Sequence, residues 1–199
     1  GPNWLDLRKP PAAYADRDPT VLVIGGGQSG LCIAARLKQL NVDTLIHEVG
    51  AGQMEINFFH DEPLGLADEV FLFKRTVREA AQQHNCFATF MAKPMEREPG
   101  SAMHVHQSVV SLDTGRNIFT SRNGKPSNLF YQYIGGQQKY MNAAVPFFAP
   151  NINSYRRLTP GGSAPINSHW AEDNRSVGLR IPGSDGQNRR IEHRVSGAD

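Results

Sequence analysis

The spacing of apolar residues changes several times along this chain of 199 residues, and each change predicts a different element. Val21 to Ile24 is a short unbroken apolar run, as in a buried strand, and GGGQSG follows it directly. Leu31, Ala34, Ala35 and Leu37 then give a helical face and Val42 to Ile46 a second strand, so the predicted order is strand, glycine turn, helix, strand. Further on, Leu66, Val70, Phe73, Val77 and Ala81 recur at helical spacing, with Asp68, Glu69, Arg75, Arg78 and Glu79 on the opposite side. That is an amphipathic helix suited to covering a sheet. Phe87 to Met91 and Met103 to Val109 read as strands; in the second, a period of two sets His104 and His106 on one face and Met103, Val105 and Gln107 on the other. Leu112 to Ser127 is polar and glycine-bearing, a hairpin or loop. NLFYQYIGGQQKYMNAAVPFFAP predicts a helix ending near Pro146 or Pro150, with Leu129, Tyr133, Tyr140 and Ala144 as its core positions and Gly135-Gly136 as a weak point. Residues 3–19 read as an extended lead-in.

Composition narrows the class without choosing a chemistry. The length suits one large domain or two small ones. With 39% hydrophobic residues, 20% charged residues and a net charge of +2, nothing points to nucleic acid or an anionic membrane as partner. The most apolar windows, VLVIGGG and DEVFLFKR, break within a few residues, too short to span a bilayer. The first twenty residues are polar and proline-bearing, unlike a signal peptide, so the expected location is cytoplasmic. Cys32 and Cys86 lack a CxxC partner and read as buried thiols.

Candidate chemistry falls into three groups. Glu48 and Glu55 flank a Gly-Ala-Gly turn, while His104 and His106 follow the Pro99-Gly100-Ser101 bend; carboxylates and imidazoles together suit Mg2+ or Mn2+. A single strand histidine is usually a core residue, and the pair favours ligands. Arg157, Arg175, Arg180, Arg190 and Arg194 come from different loops and strands, and the alternation of Arg190, Glu192 and Arg194 places a carboxylate between two cations on one face. Planar guanidinium groups in that setting grip phosphate and carboxylate oxygens. The third group is Gly25, Gly27 and Gly30, a GxGxxG turn between strand and helix that lets a backbone approach a dinucleotide pyrophosphate.

Two resemblances add to these readings. Residues 5–46, carrying VLVIGGGQSGLCIAARLKQLNVDTLI, resemble the first nucleotide-binding unit of flavin-dependent monooxygenases, which implies FAD or NADPH and puts Glu48 where a ribose-binding acid would stand. From about Val42 to Asp199, through HEVGAGQME, KPMEREPGSAMHVHQS, NSYRRLTPGGSAP, NRSVGLRIP and RRIEHR, the chain resembles the catalytic domain of the glutamine synthetase family. The second resemblance implies ATP-dependent ligation of glutamate to ammonia or a larger amine through γ-glutamyl phosphate. It implies Glu48 and Glu55 as ligands of one Mg2+ or Mn2+, and His104 and Glu192 as ligands of another. It also implies His106, Ser108, Arg175, Arg180 and Arg190 around the nucleotide, and Gly100, Arg157 and Arg194 around glutamate, with Arg157, Arg175 and Arg194 taking part in catalysis.

The fold it implies is α/β (α+β): a truncated glutamine-synthetase-type catalytic domain over 47–199, with antiparallel sheet and covering helices, behind a Rossmann-like βαβ segment in 1–46. The family's flap glutamate is missing from Pro160-Gly161-Gly162-Ser163-Ala164-Pro165, which points to an amine larger than ammonium and to the γ-glutamyl-amine ligase branch. The family's upstream Glu-x-Glu strand and small β domain have no counterpart here, so an incomplete site, weakly active or inactive alone, is expected. A homo-oligomer is compatible with the family and not required. Two alternatives stand beside the ligase: an FAD- or NADPH-dependent fragment built on Gly25, Gly27 and Gly30, and a catalytically dead remnant.

Overall fold

The computed structural model describes residues 21–24, 44–47, 53, 55–83 and 87–199. The lead-in, the GxGxxG glycines, the helical face of Leu31 to Leu37, Glu48 and both cysteines lie outside the described residues. The chain divides into two units, Gly1–Thr76 and Val77–Asp199. In the first, β1 (Val21–Ile24) and β2 (Thr44–His47) pair in parallel, Val21 opposite Thr44 and Ile24 opposite His47. Both coincide with the apolar runs, the second displaced slightly toward its C-terminal end.

α1 (Pro63–Gln83) starts with proline, whose fixed φ suits a first helical position and whose missing N–H costs nothing there. The Glu62 carboxylate accepts from the N–H of Leu64 at 3.1 Å and from that of Gly65, occupying donors that have no partner inside the helix. Leu66, Val70, Phe73, Val77 and Ala81 are all half-buried, and Asp68, Glu69, Arg75, Arg78 and Glu79 are exposed, as the periodicity predicts. No residue of α1 is fully buried.

In the second unit, β3 (Val105–Gln107), β4 (Trp170–Glu172), β5 (Leu179–Ile181) and β6 (Ile191–His193) form a sheet in the order β3-β6-β5-β4. β6 is antiparallel to both neighbours, whereas β4 runs parallel to β5, so the sheet is mixed and not wholly antiparallel as expected. A short hook makes this possible. After β4, Asp173 adopts a left-handed backbone (φ 46°), and the chain returns to start β5 alongside. Asn167 ties the return loop, donating from Nδ2 to the Ser176 carbonyl at 3.0 Å and accepting on Oδ1 from the Gly178 N–H at 3.2 Å.

Cross-strand partners share a face. His106, Glu192 and Arg180 lie in register across β3, β6 and β5, and Val105, His193 and Leu179 lie in register on the other side. The second face joins the core, where Leu179, Ile181 and Ile191 pack with Phe119, Phe130, Ile134, Met141 and Val195. α2 (Asn128–Phe148) supplies Phe130, Ile134 and Met141 to it. The expected core positions of this helix are therefore corrected: Leu129, Tyr133 and Tyr140 are exposed and Ala144 is only half-buried. Ser127 caps the helix, accepting from the Phe130 N–H at 3.2 Å and donating to the Ile118 carbonyl at 2.8 Å, which turns Phe130 rather than Leu129 onto Phe119. Tyr133 stays at the boundary because its hydroxyl donates to Gln107 Oε1 at 2.9 Å. The helix runs through Gly135, Gly136 and Pro146, held by its cap and its core side chains.

The strand expected over Phe87 to Met91 is irregular in the structure, and that over Met103 to Val109 is trimmed to β3. Thr89 Oγ1 accepts from the Met91 N–H at 3.2 Å, a local turn that competes with ladder pairing. Beyond it the loop folds over α3 (Ile152–Arg157), with Asn153 accepting from the Lys93 N–H at 2.8 Å and donating to the Lys93 carbonyl at 2.9 Å. Residues 112–127 form turns, as predicted. The buried Asn117 donates to the carbonyls of Gln187 (3.0 Å) and Arg189 (2.7 Å), fixing the approach of the chain into β6. Among the described residues no helix is long and apolar enough to cross a membrane.

Candidate functional site

The polar face of the sheet converges on Glu192, at the centre of β6 and 3% exposed. Its Oε2 accepts from Arg180 Nη1 at 2.8 Å and its Oε1 from Arg194 Nη1 at 2.6 Å. His104 Nδ1 lies 3.3 Å from the same Oε1. Beside it, Arg190 Nε donates to His106 Nδ1 at 3.1 Å, which places the His106 ring proton on the other nitrogen. Alternation along β6 and β3 thus does what the sequence suggests: His104, His106, Arg190, Glu192 and Arg194 gather on one face, joined by Arg180.

Arg157, buried at the end of α3, donates from Nη1 to the Val195 carbonyl (2.7 Å) and from Nη2 to the Arg194 carbonyl (2.9 Å), bracing the helix against the segment after β6. Gly100 packs directly on its shaft: a Cβ there would come within 2.8 Å of both Arg157 Cγ and the Ala92 carbonyl oxygen, so only glycine admits this approach. Ser108 and Arg175 are exposed and take no part in the hydrogen bonds around Glu192. Glu55 is exposed and belongs to the first unit; Glu48, Gly25, Gly27 and Gly30 lie outside the described residues. Among the described residues no group of three or more His, Cys, Asp or Glu side chains is placed to hold a metal ion, and the close approach is that of His104 and Glu192.

Burial pushes the pKa of Glu192 up, but the Arg180 hydrogen bond, the Arg194 charge and the two imidazoles outweigh it and hold the carboxyl below its usual range. Loss of hydration and then the Arg194 charge push His104 down to about 4, against the opposing pull of Glu192. His106 is lowered for the same first reason. Burial, with Arg194 nearby, brings Arg157 down to about 10, while Asp199 pulls the other way. The Nε donors of Arg180 and Arg194 are buried with no hydrogen-bond partner. Charged donors left unspent in a covered site are what an incoming anion would satisfy.

Three participants are not evident from sequence patterns. Asp173 accepts from Arg180 Nη2 at 3.0 Å, across the β4 to β5 hook. Asp199 accepts from Ser154 Oγ at 2.6 Å and from Asn151 Nδ2 at 3.1 Å, tying the start of α3 to the chain beyond β6. His193 occupies the apolar face, its ring 4.3 Å from that of Phe148 and its Nδ1 3.2 Å from Ser196 Oγ. Only the alternation of β6 hints at the last, since the residue after Glu192 must face the core.

Burial alone lowers His193 to about 4. Its unfolded value is near 6.5, so the unfolded chain binds the extra proton between these values and stability rises with pH across that window. The buried His193 accounts for on the order of 3 kcal/mol between the two limits, and the shift of His104 acts in the same direction. We expect the urea midpoint to fall steadily from pH 7 to pH 4.5, and His193→Phe to flatten the slope. A midpoint independent of pH over that range would show that His193 takes up its proton as readily in the folded protein as in the unfolded chain.

The sequence that builds these elements matches a known family. The glutamine synthetase catalytic domain profile matches residues 29–199, and the chain belongs to that family. Among its relatives, it is 41% identical over 166 residues to the gamma-glutamylputrescine synthetase of Escherichia coli (strain K12), covering 83% of this chain and 35% of that protein. It is 42% identical over 155 residues to a glutamine synthetase of Pyrococcus horikoshii (78% and 34%), and 41% identical over 150 residues to one of Halobacterium salinarum (74% and 33%). The chain spans about a third of the length of these relatives. The family match begins at residue 29, upstream of the junction expected near residue 42.

Proposed function

We propose that this chain contributes the Glu192-centred part of the active site of an ATP-dependent ligase that joins glutamate to an amine. The observation that carries the reading is the in-register row of His106, Glu192 and Arg180, with His104 and Arg194 closing on the same carboxylate. His104 and Glu192 are the proposed holders of a Mg2+ or Mn2+ ion. Their nearest donor atoms stand 3.3 Å apart, close to the ~3 Å between adjacent donors of an octahedral ion with bonds of ~2.1 Å. Low basicity keeps His104 neutral near pH 7, with a lone pair to give. When bound, the ion would neutralise charge on the phosphoryl group in transfer.

The roles of this chain's own residues follow their positions. Arg180 and Arg194 hold Glu192 ionised and oriented, and their unspent Nε donors are suited to phosphate or carboxylate oxygens. Arg190 and His106, joined at the sheet edge, are assigned with Ser108 and Arg175 to the nucleotide. Gly100 and Arg157 shape the wall assigned to glutamate, together with Arg194. Glu48 and Glu55 are proposed as ligands of the first ion. In the flap, Gly161 takes a left-handed φ of 75° and Ala164 and Pro165 are buried, and no acid stands in that stretch. We therefore assign the acceptor to amines larger than ammonium, in keeping with the E. coli relative's name. A cytoplasmic location belongs to the same reading.

Thermal melting with Mn2+ and ADP tests the proposal. At ligand about 100-fold above Kd, a rise on the order of 5 °C is expected, and His104→Ala should abolish it. No rise in the wild-type chain at millimolar Mn2+ and ADP would sink the assignment.

A further inference from the structure

Asp173 is the described non-glycine residue with positive φ (46°), and it is placed where its carboxylate intercepts Arg180. Its Oδ1 accepts from Arg180 Nη2 at 3.0 Å and from the Gly183 N–H at 3.1 Å, so the carboxylate is itself oriented by backbone. Arg180 is thereby divided between two acids: Nη1 goes to Glu192 Oε2 at 2.8 Å and Nη2 to Asp173. The alternative open to a guanidinium beside a carboxylate is the parallel fork, two N–H groups on both oxygens, which is the stronger pairing. With Nη2 taken by Asp173, Arg180 holds Glu192 through one oxygen only. Glu192 Oε1 is left to Arg194 and to the side on which His104 lies.

We propose that Asp173 is a positioning residue that keeps Arg180 from forking across Glu192, and so leaves Oε1 of that carboxylate available to a divalent cation shared with His104. The inference rests on the cation role given to His104 and Glu192 above. It also accounts for an acid at a strained position. The Asp173 side chain is 62% exposed, so its ion pair contributes little to stability, and a left-handed backbone costs a non-glycine residue more than glycine. A residue kept only to shape the hook would be better replaced by glycine.

The test compares Asp173→Gly and Asp173→Asn with wild type. Glycine accepts the left-handed backbone but lacks the carboxylate; asparagine tolerates that backbone and retains a neutral acceptor for Arg180 and Gly183. Three readouts are needed: the melting temperature, the Mn2+ dissociation constant from the electron paramagnetic resonance signal of free Mn2+, and a crystal structure of Asp173→Gly. The expected result is an unchanged or slightly higher melting temperature for glycine. Mn2+ binding should weaken about tenfold, the scale seen when a partner that orients a ligand is removed, with asparagine intermediate and Arg180 forked across Glu192 in the crystal.

Equal Mn2+ affinity in Asp173→Gly and wild type would overturn the inference, as would an Arg180 that keeps its single bond to Oε2. A melting temperature that drops in both variants would make the role structural and overturn it too. If the wild-type chain binds no Mn2+, the cation reading of His104 and Glu192 fails, and the Arg180 geometry in the glycine variant alone decides whether Asp173 positions it.

Discussion

Gly178→Ala is expected to cost the unit Val77–Asp199 about 3 kcal/mol or more, at or beyond the upper end of ordinary overpacking. A Cβ at Gly178 would overlap the carbonyl oxygen of Asn167. The obstacle is backbone, so no side-chain rotation relieves it. Asn167 cannot retreat without losing its bonds to Ser176, Gly178 and the His169 N–H, all at 3.0 to 3.2 Å. Nor can Gly178 move outward, since its carbonyl accepts from the Arg194 N–H at 2.9 Å. Either displacement shifts β5 against β6 and takes Arg180 out of register with Glu192. Urea denaturation gives the number, and a variant within 1 kcal/mol of wild type would mean that the hook is looser than described.

The second large effect is expected at Glu192. Replacing it with alanine removes the common partner of Arg180 and Arg194 and leaves two covered cations facing each other; breaking such a set from one side costs about 3–5 kcal/mol. Glu192→Gln, which preserves shape and one of the two acceptors but turns an amide donor toward the other arginine, should cost less than alanine. The pH dependence separates charge from packing. Because the folded Glu192 carboxyl lies below its unfolded range, its contribution is present above about pH 4.5 and is lost as pH falls through the folded value. The alanine variant should therefore show its full deficit at pH 7 and a smaller one near pH 3. A deficit that does not shrink would assign the loss to packing.

Much of this site was legible in the sequence because strand alternation is a local rule. Period two is enough to align His104 with His106 and Glu192 with Arg190 and Arg194, and the sheet register then brings the two sets together. What local rules cannot supply is the partner across a hook. Asp173 meets Arg180 only because a left-handed residue returns the chain parallel to itself, a geometry that the run EDNRSVG does not announce. The register of α2 failed for a related reason: Leu129 and Phe130 are equally apolar, and the choice fell to the Ser127 cap and to Tyr133, whose hydroxyl needed Gln107. At Phe87 to Met91, β-compatible side chains lacked a neighbouring strand to pair with among the described residues, and strand propensity without a partner has no effect. The roles of Glu48, Glu55 and the GxGxxG glycines rest on spacing and on the two resemblances, and nothing among the described residues tests them.

The bond from Arg190 to His106 joins residues 84 apart in the chain, whereas Arg180, Glu192 and Arg194 come from one short neighbouring stretch. Closing the longer loop costs more chain entropy, so the two halves of the site differ in what it takes to bring them together. The arginine and carboxylate half needs only the pairing of β5 with β6, whereas the imidazole half also needs β3, which lies more than 80 residues earlier in the chain. β3 therefore joins the two halves of the site through its pairing with β6.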